Sequence, residues 1–409
     1  MRNADARPTA KIPGPAAVPR QVRNARNAVA AVFAFNGLAI ATWFARVPAV
    51  RDALSLSAGR LGLLLLAMSI GSIVALATAG LATQRLGTAR TVGVAGLLIA
   101  GGLAGTGAAA GLTGWLPAVA VALFAFGYGF GTCEVAINVE GAAVERRLGR
   151  TVMPRFHAAF SLGTVVGAGL GALAAGAGVP VAAHLVGMAV VVAVGILVAL
   201  GSFLPTPDTA EPDTAAAHGR SGGLLAAWRE PRTLLIGLLV LAAAFAEGSA
   251  SDWLAVAFVD GYGFSEAAGA AVFAVFVVGM TVGRTAGTVA IDRWGRVPVL
   301  LTCTLLAVVG AAVAVLGGNG PVAVAGVAVW GLGASLGFPV GMSAAADDED
   351  RAPARVSVVA AIGYTAFLAG PPLLGLLGDQ VGTRYALLVV PVLLLPTLAL
   401  VPAVRPPAR

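Results

Sequence analysis

Charge, lysine and cysteine are all scarce in this sequence, and each scarcity excludes a class of function. Charged residues make up 11% of the 409 residues, whereas a soluble domain contains about 25%. Lys11 is the only lysine and follows Ala10, so the chain cannot form the Gly-Lys-Ser/Thr core of a phosphate-binding loop. Binding of ATP by such a loop is therefore excluded.

The sequence also offers few residues suited to metal or thiol chemistry. Cys133 and Cys303 lie far apart inside apolar segments, where they fit small packing residues better than a disulfide. The three histidines, His157, His184 and His218, do not have the spacing of metal ligands. Without a nucleophile–base pair or a metal cluster, we expect neither an enzyme nor a cofactor.

Most of the chain consists of long segments without charge. Residues 91–133, 156–207 and 297–346 contain no Asp, Glu, Lys or Arg, and each is about twice the roughly 20 residues of one membrane crossing. Such segments predict pairs of spans joined by tight turns, and the spans must be helical because a backbone in lipid satisfies its own hydrogen bonds. We predict twelve spans, at 28–46, 61–83, 91–112, 117–139, 156–178, 182–203, 233–257, 267–290, 298–316, 321–345, 356–377 and 385–403.

Polar segments divide the predicted spans into two bundles. Residues 1–26 form a polar tail and residues 204–232 a polar linker, and neither is long enough to bury a core. The first six-helix bundle is predicted at 27–203 and the second at 233–403, followed by a short tail at 404–409. We interpret the apolar stretch after residue 27 as the first span and not as a signal peptide.

Basic residues are distributed unevenly between the two sides of the predicted membrane. With the N-terminus inside, the inner segments hold 21 of the 26 basic residues, the outer segments hold four, and Arg284 lies within a span. Excess positive charge marks the cytoplasmic side, so we expect both termini in the cytoplasm and the chain in the inner membrane. Because the basic residues do not cluster, the net charge of +7 does not indicate nucleic-acid binding.

The sequence repeats itself at a shift of 208 residues. Small residues recur at every fourth position from Gly71 and again from Gly279, and such faces allow close helix packing. Two parallel six-helix repeats are typical of transporters that rock around a midplane site. The same or a nearby shift pairs Asp52 with Asp260, Ser57 with Ser265, Arg85-Leu-Gly87 with Arg293-Trp-Gly295, and Trp43 with Trp253.

The loop after the second span of each half resembles the signature loop of the major facilitator superfamily, Gly-x-x-x-Asp-Arg-x-Gly-Arg-Arg. The first copy has Gln84 in place of Asp, and the second has Thr288 in place of Gly. The resemblance implies an all-α membrane fold of twelve transmembrane helices in two parallel repeats. It also implies a cytoplasmic latch between the halves, weakened in the first copy because Gln84 is uncharged. The latch residues are Gly80, Arg85, Gly87, Arg90, Arg284, Asp292, Arg293, Gly295 and Arg296, of which Arg284 is expected to snorkel or to pair with a latch acid.

The fourth span is similar to that of fucose–proton symporters, in which a Glu precedes an Asn by four residues. The corresponding residues here are Glu134 and Asn138, and by that likeness Glu134 is the protonation residue. Segment 41–48 lacks the acid that those symporters carry late in their first helix, so a sugar substrate is not implied. The runs at 134–145 and 243–254 resemble a branch of compact bacterial permeases.

Charged side chains within a span are costly, so each one is a functional hypothesis. We expect Glu134 and Glu247 to couple transport to protons, the alternative being structural carboxyls that stay neutral or pair with Arg. In the family, helices 1, 4, 7 and 10 line the cavity, which would bring both acids into one space. Arg46 can alternatively snorkel, and His157 can be structural. The substrate-binding candidates are Asn36, Trp43, Arg46, Asn138, His157, Ser251 and Trp253.

These patterns predict a secondary active transporter of a small polar solute that works by alternating access, with proton-coupled uptake preferred. One alternative is a proton-driven exporter of amphipathic compounds, although the 6% aromatic content argues against its aromatic-lined cavity. Another alternative is a non-transporting membrane sensor or scaffold. The expected partners are the solute, protons and the lipid bilayer, and the chain is expected to act as a monomer without nucleic acid.

Overall fold

The structure of the protein, a computed structural model, describes residues 20–148, 152–204, 225–348 and 351–405. Within these ranges the chain is helical and contains no strand. Eleven helices are long and apolar enough to cross a membrane, and a shorter apolar segment follows them. The crossing helices are α1 Arg20–Ala45, α2 Ala58–Leu86, α3 Thr88–Ala108, α4 Leu116–Leu148, α5 Met153–Gly176, α6 Val181–Leu200, α7 Pro231–Tyr262, α8 Glu266–Trp294, α9 Arg296–Leu316, α10 Gly320–Ala345 and α11 Ala352–Val381. A short helix, Val47–Ala53, follows α1, and we call the final segment, Thr383–Ala399, α12.

Two predicted spans are interrupted. Helix α10 breaks between Ala334 and Gly337 into two pieces. The last span, predicted at 385–403, is present and helical, but it consists of short α and 3-10 segments. Proline lacks the backbone N–H that continues a helix, and Pro391, Pro396 and Pro402 lie in this segment.

The sequence repeat is visible in the ends of equivalent helices. Ser57 and Ser265 precede α2 and α8, and each side-chain oxygen accepts a hydrogen bond from a backbone N–H of the first turn. At the other end, Gly87 and Gly295 terminate the same two helices with φ of 79° and 83°. Only glycine adopts such backbone angles readily, so the repeat preserves the residues that begin and end these helices.

Close helix packing follows the same repeat. A Cβ atom added at Gly127 on α4 would overlap the carbonyl oxygen of Met68 on α2, and one added at Gly331 on α10 would overlap that of Phe276 on α8. Phe276 follows Met68 by the repeat shift of 208 residues. The small residues of the sequence pattern are therefore the points where backbones approach most closely.

The two halves, 20–204 and 225–405, meet along two pairs of helices, α2 with α11 and α5 with α8. We call the end of the bundle that holds Arg20 and Arg405 the terminal end, and the opposite end the far end. At the far end, Gly62 on α2 packs against the backbone of Pro371 on α11, and Gly375 packs against that of Ala58. The halves are thus in direct contact at the far end.

Several sequence-based boundaries fall where the structure is not described. Residues 1–19, most of the predicted linker, and residues 406–409 of the short tail lie outside the described ranges. The domain limits drawn from the sequence therefore remain predictions.

Candidate functional site

The two membrane acids singled out by the sequence lie close together, although they belong to different halves. Glu134 on α4 and Glu247 on α7 are near enough for their charges to interact. The Glu134 side chain is nevertheless exposed, and Tyr364 on α11 also lies within electrostatic range of it. The accessible carboxyl of Glu134 thus lies near residues of the other half, and we call the space beside it, between the halves, the chamber.

Glu247 forms an ion pair with Arg284 on α8. One guanidinium nitrogen, Nη2, lies 3.0 Å from Oε1 and 3.1 Å from Oε2 of the carboxylate, and the two side chains are 25% and 33% exposed. Arg284 Nε also donates to the Ser335 carbonyl at 3.4 Å, beside the break in α10. The expected pairing of Arg284 with a latch acid is not what the structure shows, because the nearest carboxylate in its reach belongs to α7.

The polar residues that follow the two acids are turned back onto their own helices. Asn138 Nδ2 donates to the Glu134 carbonyl at 2.8 Å, and Ser251 Oγ donates to the Glu247 carbonyl at 3.0 Å. Each lies one helical turn after its acid and on the same face. The substrate-binding roles of Asn138 and Ser251 remain predictions.

His157 lies near the beginning of α5, at the mouth of the chamber. Its ring meets the Phe33 ring edge-on, with centroids 5.2 Å apart, and the side chain is exposed. It also lies within electrostatic range of Arg284 in the other half. The structure therefore brings His157 into the same space as Glu134, Glu247 and Arg284.

The four remaining substrate candidates lie inside packed protein. Asn36, Trp43, Arg46 and Trp253 are all buried, so in this structure they do not line the open chamber. Arg46 does not snorkel, because its Nη2 donates to the Val179 carbonyl at 2.9 Å and its other nitrogens are buried. A substrate role for these residues remains a prediction that needs a different state of the molecule.

The predicted latch residues other than Arg284 lie at the terminal end, and no hydrogen bond or ion pair among the described residues links a latch residue to the opposite half. Arg85 and Arg90 are exposed, as is Asp292, and none of the three forms an ion pair with a described residue. Gly80 has no neighbour within contact distance of an added Cβ. Arg293 instead packs over Trp294. A further latch position, Arg296, binds Asp347 at 2.6 Å within the second half.

The contacts that do join the halves are at the far end, and the sequence did not indicate them. Arg51 binds Asp260 through both terminal guanidinium nitrogens, and Asp379 accepts hydrogen bonds from Gly59 N at 3.0 Å and Ser57 Oγ at 3.2 Å. Partial burial alone would lower the pKa of Arg51, but its bonds to Asp260 and Asp52 raise it. We call these contacts the far-end clasp.

A second acid on α4 has a structural role. Glu140 is buried and accepts hydrogen bonds from Thr88 Oγ1 at 2.5 Å and from the backbone N–H of Leu204 at 2.9 Å. It ties the beginning of α3 to the chain that leaves α6. Among the described residues, no group of three or more His, Cys, Asp or Glu is placed to hold a metal ion.

Comparison with known proteins agrees with this architecture. The sequence profile described as Major Facilitator Superfamily matches residues 253–409. The uncharacterized transporter y4wD of Sinorhizobium fredii is 33% identical over 363 residues, covering 88% of this chain and 93% of its own. An uncharacterized MFS-type transporter of Yersinia pestis is 30% identical, covering 85% of this chain and 87% of its own.

Among solved structures, the fold is similar to that of the fucose:proton symporter FucP of E. coli, with a TM-score of 0.63 and 17% identity. The likeness covers 94% of this chain and all of that one. Together with the signature loops and the twelve membrane segments, these relatives show that the chain belongs to the major facilitator superfamily.

Proposed function

We propose that this protein is a secondary active transporter that takes up a small polar solute together with protons by alternating access. The observation that supports it best is the chamber in which Glu134 of one half faces the Glu247–Arg284 pair of the other. Charged groups enclosed by membrane helices mark ion and solute pathways. A site built from both halves changes when the halves move, as alternating access requires.

The three charged groups of the chamber suit different tasks. Arg284 forms an ion pair with Glu247 through two contacts, whereas Glu134 has no ion pair with a described residue. Because no guanidinium holds Glu134 in its ionised form, this carboxyl is free to gain and lose a proton during the cycle. Glu134 is therefore the proposed coupling residue, and Glu247 with Arg284 the polar wall against which the solute binds.

The orientation proposed for the chain indicates which state of the transport cycle the structure represents. The excess of basic residues at the terminal end favours that end as cytoplasmic, with both termini inside and the protein in the inner membrane. The chamber then opens to the cytoplasm, because the far-end clasp is closed and the predicted latch is apart. We therefore interpret the structure as the inward-facing state of a monomeric transporter.

The proposal is tested in two steps on the purified protein. A thermal-shift screen of small polar solutes first identifies a ligand, and uptake of that ligand is then measured in proteoliposomes with an imposed pH gradient. The pH gradient should accelerate uptake by wild type and have no effect on Glu134→Gln, while Glu266→Gln, a change at the far end of α8, should behave as wild type. Gradient-driven uptake by Glu134→Gln equal to that of wild type would refute the coupling assignment.

A further inference from the structure

One further acid in a membrane helix has no hydrogen-bond or ion-pair partner among the described residues. Asp252 on α7 is only 9% exposed, and it forms no hydrogen bond or ion pair with any residue of the described ranges. About 15 Å of helix separates it from Tyr262 at the far end of α7, at 1.5 Å per residue. Asp252 is thus a buried carboxyl well inside the membrane that neither the chamber nor the clasp uses.

The described residues around Asp252 supply no counter-charge. Phe245 and Gly248, seven and four residues earlier on the same face of α7, pack against Gly370 and Phe367 of α11. Within the described part of the chain, no charged or titratable side chain interacts electrostatically with the Asp252 carboxyl. Those on the elements packed against α7 include Arg46, Arg51, Glu266, Arg284, Tyr364, Asp379 and Arg384.

An unpaired, ionised carboxylate in such a place is energetically costly. Burying a lone charge costs far more than burying a neutral polar group, and buried charges are otherwise paired or bound to a cation. A hard metal cation takes about six or more oxygen ligands, whereas the other buried oxygen without a partner on α7 is the single Ser249 Oγ. A proton needs no further ligand, so it is the cation that this site can accept.

The repeat shows that this acid is not required by the fold. The shift that pairs Trp43 with Trp253 places Thr42 at the equivalent position of α1, and Thr42 is also buried without a hydrogen-bond partner. A neutral side chain therefore occupies the corresponding site in the first half. The carboxyl in the second half adds a group that can change its charge.

We propose that Asp252 is a second proton-binding site: it carries a proton while the far end is closed and exchanges it with water when the far-end clasp opens. The proton exchange rests on the proposed function, since it needs alternating access. The binding of a proton by Asp252 does not depend on that function. Glu134 is open to the terminal end, and Asp252 is closed off behind the clasp. The two proton sites would therefore respond separately to the pH on the two sides of the membrane.

Infrared spectroscopy of the purified protein in lipid vesicles tests the proposal without a solute. A protonated carboxyl has a C=O stretch that a carboxylate lacks, so wild type at neutral pH should show a protonated-acid band that Asp252→Asn loses. Glu134→Gln measured in parallel separates the contribution of the chamber acid. Replacing sodium by choline in the buffer should leave the band unchanged.

Each of the other outcomes of the infrared experiment would contradict a specific part of the proposal. An identical band in wild type and Asp252→Asn would show that Asp252 is ionised, and a band that sodium suppresses would assign the site to a metal cation. Failure of Asp252→Asn to fold would also contradict the proposal, because Asn closely matches a protonated Asp in shape and charge. Arg51→Gln, which opens the clasp, should release the proton from Asp252 and reduce the protonated-acid band. Spin labels would show whether this variant is open at the far end. An unchanged band in the open variant would refute the proton exchange.

Discussion

Arg51 binds Asp52 and Asp260 with one guanidinium group, and these two acids are related by the sequence repeat. Nη2 lies 2.9 Å from Asp52 and 2.7 Å from Asp260, while Nη1 also contacts Asp260. Asp260 and Arg51 lie 209 residues apart and belong to different halves. One arginine therefore holds the two repeats together at the end of the molecule that is closed.

Replacing Arg51 with Gln should shift the protein towards states open at the far end. The hydrogen bonds of this pair involve charged groups. Losing about 1.4 kcal/mol of their stabilisation changes the ratio of molecules closed at the far end to molecules open there roughly tenfold. Spin labels at the far ends of α2 and α11 would report the change as a longer distance. Arg60→Gln is the matched control, because Arg60 lies at the same end and forms no ion pair with a described residue. Equal distance distributions for the two variants would show that the clasp does not hold the state.

Close packing in the first half can be tested at two glycines of the same helix. An added Cβ at Gly163 on α5 would overlap the carbonyl oxygen of Ala34 on α1, whereas one at Gly169 would meet nothing within contact distance. Gly163→Ala should therefore lower thermal stability, with a cost of about 1–3 kcal/mol for overpacking, and Gly169→Ala should not lower it. Thermal melts in detergent that show equal losses for both variants would contradict the packing assigned to α5.

The number of membrane segments and their repeat could be predicted because both are written in local patterns. Charge-free segments give the crossings, and matched residues such as Ser57 and Ser265 give the repeat. The break of α10 near Ser335 also has a local signal, because Pro339 has no N–H to bond to the Ser335 carbonyl. Arg284 Nε donates to this carbonyl at 3.4 Å instead. The fragmentation of α12 did have a signal in its three prolines, which the apolar character of the segment masked.

The Glu247–Arg284 pair should behave as a unit in a double-mutant cycle. Removing one partner of a fully buried pair costs about 3–5 kcal/mol, and we expect a smaller loss, about 1–2 kcal/mol, because both side chains are partly exposed to the chamber. Glu247→Gln and Arg284→Gln should each destabilise the protein more than the double variant does, since each alone leaves one charge unpaired. Additive losses in thermal unfolding would indicate that the two residues act independently.

Acid pH should weaken the terminal end of the second half. Glu230, just before α7, accepts a hydrogen bond from Arg355 Nε at 2.7 Å, and this bond holds the pKa of Glu230 below its usual 4.5. A carboxyl whose pKa is lower in the folded state stabilises the fold above its unfolded pKa and loses that contribution as pH falls through its folded pKa. The thermal midpoint of wild type should therefore fall as pH drops below about 4.5.

Glu230→Gln tests this assignment. The variant should have a lower thermal midpoint than wild type at neutral pH, and the difference between the two should shrink as the pH is lowered. A constant difference across the pH range would show that Arg355 does not act through the charge of Glu230.

The candidate site was only partly predictable for a geometric reason. Glu134 and Glu247 stood out because charge within a span is rare. Which side chains face the chamber depends on helix rotation and on the state of the molecule. For that reason, the sequence-based prediction also assigned Trp43 and Arg46 to the chamber, although both are buried in this structure. Arg51 and Asp260 lie in polar segments at helix ends, where many charged residues occur and no local pattern marks one pair as a contact between halves.

Proton movement driven by the solute tests the central claim most directly. Proteoliposomes without a pH gradient receive the identified solute on the outside only, and a dye reports the pH of the lumen. The account predicts that solute entry acidifies the lumen with wild type and leaves its pH unchanged with Glu134→Gln. Solute entry through wild type without acidification would contradict proton coupling.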